Sequence, residues 1–122
     1  GGFDGAIASD FGEREMKSFV ERSRREADGL AEALADLDCA TRIALTHYSP
    51  IAETLEGERR EIYPFLGSHL LAEAIDRVGA DLALHGHAHG GVECGTTPGG
   101  VPVRNVAMPV IRRPYCVFTI DA

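Results

Sequence analysis

Two short apolar runs, "TRIALT" at 41–46 and "DLAL" at 81–84, each lead into histidine, and an amphipathic helical pattern lies between them. This order restricts the fold more than any other feature of the chain. If the runs are strands lying as parallel neighbours in one sheet, both end at the same edge, where α/β sheets place their ligands. His47 follows the first run, and His85, His87 and His89 follow the second within "LHGHAHGG".

The helix between them is predicted over 69–78, with Ser68 as its cap and Leu70, Leu71, Ala74, Ile75 and Val78 as one core-facing stripe. Gly79 falls where a left-handed terminal residue belongs. Residues 49–66 have no sustained period and read as a long connection, a kind of segment that often carries function. Upstream, residues 1–12 read as a loop and 13–38 as a helical segment, the helix proper fitting 13–37. Its stripe includes Met16, Phe19, Val20, Ala27, Leu30, Ala31 and Leu34, and Asp10 with Glu13 resembles a capping box. The charged run Glu21, Arg22, Arg24, Arg25 and Glu26 is a solvated face. Downstream, two strands are predicted around a turn at Thr97–Gly100, and "YCVFTI" at 115–120 as a further strand.

The 122 residues suit one domain or a piece of one. The chain starts with Gly, and "GGFDGAIASDFGE" reads like the interior of a longer protein. With 19 acidic against 12 basic residues the net charge is −7, which argues against a general nucleic-acid binder. It leaves small phosphorylated substrates open, because a metal ion can supply local positive charge. Cys39, Cys94 and Cys116 are odd in number and widely spaced, so small buried thiols in a reducing cytoplasm are expected. No stretch reaches the ~20 apolar residues of a membrane span, and no signal peptide is expected.

A polar turn with both rings in solvent is the plain alternative for His87 and His89. Three features favour a metal site instead. In an extended segment positions i and i+2 project to one side. Gly86 permits a tight turn. The segment lies at a strand end. With His47 converging, three imidazoles with an open position would suit zinc or another borderline divalent metal.

At these residues the chain resembles a known family. "LHGHAH" is similar to the GHxH signature of the calcineurin-like metallophosphoesterases, "ALTHYSP" to the strand and histidine before it, and "VPVRNVA" to a segment after it. The resemblance covers roughly residues 40–120. It implies an α/β fold, a four-layer α/β/β/α sandwich of two mixed sheets flanked by helices, of which this chain would be the C-terminal half. It implies a site of two divalent ions (Mn, Fe or Zn) bridged by a carboxylate, with His47 and His87 on one ion and His89 on the other. The activity implied is hydrolysis of phosphate mono- or diesters.

The chain departs from the family pattern upstream of the histidines. Asp-x-His, Gly-Asp-x-x-Asp and Gly-Asn-His-Asp/Glu are all missing, and the single asparagine, Asn105, is followed by Val106. The 122 residues are therefore expected to be inactive alone. The missing half, or a second chain, would complete the domain, and the open half-fold would otherwise self-associate.

His85 is expected to support the strand end rather than bind metal, and His69 to face solvent. Arg59 and Arg60 match phosphate oxygens by their forked donors, although paired charges in a loop are commonly just solvated. Tyr48 either packs or touches substrate. Arg112 and Arg113 read as surface. A non-catalytic metal-binding or assembly module is the main competing reading. A mononuclear three-histidine zinc hydrolase would need a base, for which Asp81 and Glu93 are near in sequence.

Overall fold

The computed structural model describes residues 14–120; the expected loop at 1–12 and the Asp10–Glu13 cap lie outside them. The class is mixed α/β. Helix α1 spans Arg14–Ala35, strand β1 Ile43–Thr46, helix α2 Tyr63–Leu66 and helix α3 His69–Val78. Strand β2 is Leu82–His85, β3 Cys94–Thr96, β4 Pro102–Asn105, and helix α4 Met108–Ile111. Two 3-10 turns, Glu53–Leu55 and Arg60–Ile62, break up the long connection after β1.

The strands form one sheet in the order β1-β2-β4-β3. β1 and β4 both run parallel to β2, while β3 is antiparallel to β4. Register pairs Ala44 with Ala83 and Ala83 with Val103, so these three side chains point to one face. That face is the core, filled by Leu34 of α1 and Ala72 and Ile75 of α3, with Ile51 from the loop. α1 lies on α3 through Ala27 and Ala31 against Leu71 and Ala74. The predicted stripe thus folds inward at Val20, Ala27, Ala31 and Leu34, while Met16 and Phe19 stay exposed.

The opposite face of the sheet is open at β1, where Ile43 is 46% and Leu45 73% exposed. Parallel sheets normally have both faces covered, so this is an unpartnered apolar surface. Arg104 points to the same side, its guanidinium 6.0 Å from the Phe118 ring centroid. The segment 115–120 is not a strand: Tyr115 and Val117 are largely exposed, and no described strand pairs with it. β propensity without a partner edge is insufficient.

Other local expectations need correction. Ser68 sits at the cap position of α3, but its hydroxyl does not cap. Its backbone is committed elsewhere, its N–H donating to the Ser49 carbonyl at 2.9 Å. Gly79 has positive φ (92°) but ψ of 133°, which sends the chain out extended rather than round a left-handed turn. The cysteines are free, yet Cys39 and Cys94 are exposed rather than buried, lying after α1 and on the outer strand β3. Among the described residues, no helix is long and apolar enough to cross a membrane.

Candidate functional site

The parallel register places Thr46 beside His85, so His47 and Gly86 leave the sheet together at the same edge. The His47 and His87 ring centroids are 4.5 Å apart and tilted by 38°. Tyr48 lies edge-on to both, at 4.9 Å from His47 and 5.2 Å from His87, and is 49% exposed.

His87 is held in an uncommon backbone conformation. Its φ is +66°, and the Ala88 N–H donates to the Gly86 carbonyl at 2.7 Å, closing a three-residue turn with His87 at its apex. A non-glycine residue held this way costs on the order of 1–3 kcal/mol, and such strain clusters at functional sites. The tight turn does not rest on Gly86, as its position in the motif suggests. Gly86 lacks positive φ, and the left-handed residue is the histidine after it.

The turn also separates the two histidines of the motif. The i, i+2 argument needs extended backbone, and His87 is not extended. His89 is exposed, and among the described residues no group of three or more His, Cys, Asp or Glu could hold a metal ion. Ring contacts thus join His47 and His87, and His89 is exposed after the turn. The His87 Nε2 lies 3.1 Å from the Phe65 carbonyl, which can only accept. That bond fixes the proton on Nε2 and leaves the Nδ1 lone pair free. Metal-ligating imidazoles are commonly oriented by such a carbonyl on the other nitrogen. The described side chains therefore fit two positions around one ion and no more.

The histidine loop is anchored on its far side by the 49–66 connection. The Gly90 N–H donates to the Glu58 carboxylate at 2.6 Å. Gly57 has φ +106°, and a Cβ there would stand 2.3 Å from the Gly90 carbonyl oxygen. Arg59 and Arg60 follow this contact in sequence and are exposed. Asp81 lies at the opposite end of β2 from the histidines, about 13 Å away for four strand residues. Its carboxylate accepts from the Arg42 N–H at 2.8 Å, so it cannot serve as a base at this edge. Glu93 is partly buried, with its carbonyl accepting from the Asn105 N–H at 2.8 Å.

Beneath the turn runs a buried polar chain that sequence reasoning missed. Ser49, Thr54, His85 and Asn105 are all fully buried. Ser49 Oγ lies 2.7 Å from both the Ile51 carbonyl and Thr54 Oγ1, Thr54 Oγ1 is 2.8 Å from His85 Nε2, and His85 Nδ1 is 2.8 Å from the Gly86 carbonyl. A neutral imidazole and two hydroxyls supply three protons to these four links. Protonating His85 would fill the fourth, but burial pushes its pKa below the usual 6.5, with the Gly86 carbonyl opposing. His85 is therefore a strand-end support, as expected. The only available clue was position, since hydroxyls in an aperiodic loop carry no signature of burial.

His69 is partly buried rather than solvent-facing, with Nε2 3.8 Å from Glu73 one turn along α3. Arg112 and Arg113 are exposed as expected, Arg112 with φ +53° at the end of α4. Comparison with protein-family models, with curated proteins and with solved structures gives no match.

Proposed function

We propose that the chain carries the histidine side of a metal-dependent phosphoesterase site, the C-terminal half of an α/β/β/α sandwich resembling the calcineurin-like metallophosphoesterases. The observation that carries this reading is the side-by-side arrangement of His47 and His87 at one sheet edge, with His87 strained and its tautomer fixed. In this reading His87 Nδ1 and the His47 imidazole hold one ion. His89, on the exposed run after the turn, meets a second ion only in the completed domain. Tyr48 walls the pair, and Arg59 and Arg60 face the oxygens of a phosphorylated substrate. Bound divalent ions (Mn, Fe or Zn) would supply Lewis acidity and offset charge on the phosphoryl oxygens.

The carboxylate ligands must come from a missing N-terminal half or a second chain. The open sheet face at Ile43 and Leu45 supports a missing layer, and self-association is the other way to cover it. Free cysteines support a reducing, cytoplasmic setting. A second reading, a non-catalytic metal-binding or assembly module, is favoured by one fact: only two imidazoles meet among the described residues.

The test uses bis-p-nitrophenyl phosphate with added manganese. A longer protein containing this half is expected to turn it over, the 122 residues alone essentially not. His87→Ala in the longer protein should abolish turnover and tight binding at one metal. Retention of both removes the ligand assignment, and equal turnover by the short chain refutes the half-site.

A further inference from the structure

We infer that Asn105 is the positioning residue that holds His87 in its left-handed turn. Asn105 ends β4, is fully buried, and is the register partner of His85. Its side-chain amide bonds in two directions. Nδ2 donates to the Ala88 carbonyl at 2.8 Å, and Oδ1 accepts from the Ala107 N–H at 3.1 Å. Ala88 is the residue after His87, and it is fixed at every point. Its N–H closes the turn on Gly86, its methyl packs with Leu55 and Leu66, and its carbonyl accepts from both Asn105 and Gly91.

A backbone held at φ +66° relaxes unless its surroundings over-determine it. Asn105 reaches that backbone from the sheet, whereas the bond from His87 to Phe65 acts only on the ring. The side chain must donate and accept at once, at short reach. Aspartate cannot donate when ionised, and leucine does neither. The bonds also tie the end of β4 to the end of β2, so the histidine turn is built on the rigid part of the sheet.

The role as support for a metal ligand rests on the phosphoesterase reading, but the turn itself is tested without metal. The experiment is a double-mutant cycle in urea. His87→Gly places at the apex a residue that tolerates positive φ freely. If Asn105 holds a strained residue, its loss lets His87 relax and recover part of the strain, so Asn105→Ala should raise the unfolding constant about fivefold less in the native background than in the His87→Gly one. Equal effects in both backgrounds overturn the inference. In parallel, the Tyr48 and His87 rings should give a nuclear Overhauser effect in the native chain and in Val103→Ala, a core change on the same strand, and none in Asn105→Ala. An effect seen in both variants, or in neither, also overturns the inference. Zinc titration of the native chain reports separately on the phosphoesterase reading. Absence of zinc binding with a positive cycle would count against His47 and His87 sharing one ion and leave the positioning role intact.

Discussion

The buried chain through Thr54 gives the sharpest test of the energetics. Thr54→Val keeps the shape of the side chain and deletes its hydroxyl. Among the described residues that hydroxyl is the hydrogen-bond partner of His85 Nε2, 2.8 Å away, and it also meets Ser49 at 2.7 Å. Ser49 keeps its contacts with Ile51, so the main loss falls on His85, left fully buried with an unpaired ring nitrogen. Leaving a buried polar group unsatisfied costs about 1–3 kcal/mol. Thr54→Ser removes one buried methyl and keeps the links, at about 0.8 kcal/mol. At roughly 4 °C per kcal/mol for a domain of this size, the valine variant should melt about 4–12 °C below the native chain. The serine variant should lose only about 3 °C. Thermal unfolding followed by far-UV circular dichroism reads both. A valine variant as stable as the serine one would show that the hydroxyl chain contributes nothing and that packing alone holds the site.

Three further outcomes follow from the same geometry. Folding depresses the His85 pKa, so the unfolded chain takes up its proton first; stability should fall as pH drops below about 6.5 and level off beneath the folded pKa. Urea midpoints at about pH 7.5 and about pH 5.5 should differ less in His85→Gln, and an unchanged difference would assign the effect to other groups. Gly91→Ala would set a Cβ 2.1 Å from the Thr54 carbonyl oxygen and 3.2 Å from Asn105 Nδ2. It should displace the loop and lower the melting temperature by at least several degrees, whereas Gly86→Ala, with open space at its Cβ, should cost little. In zinc titrations of the isolated chain, His89→Ala should leave the affinity within about twofold while His47→Ala lowers it by at least about tenfold, as loss of half a ligand pair would. Equal losses would bring His89 into the same ion's shell.

Much of the arrangement was legible because it depends on period and order. The Leu70–Val78 stripe gives α3 its residues, and the two apolar runs with a helix between them become the parallel pair β1 and β2. That pairing brings His47 and the His87 turn out at one edge, where the turn completes their meeting. What stayed hidden depends on backbone torsion and on pairs distant in sequence. The motif contains a glycine, yet the strained residue is the histidine beside it. Nothing local marks Asn105 or Thr54 as buried, because each is satisfied by residues many positions away. The β-branched and aromatic run at 115–120 has strand propensity but finds no edge.

The strand order has one more consequence. β2 is hydrogen-bonded on both sides, whereas β1 has a single neighbour among the described strands. Amides of β1 should therefore exchange with deuterium through small local openings, and those of β2 only through much larger ones. His47 hangs from the first and His87 from the second. The pair should come apart from the His47 side, well before the rest of the domain gives way.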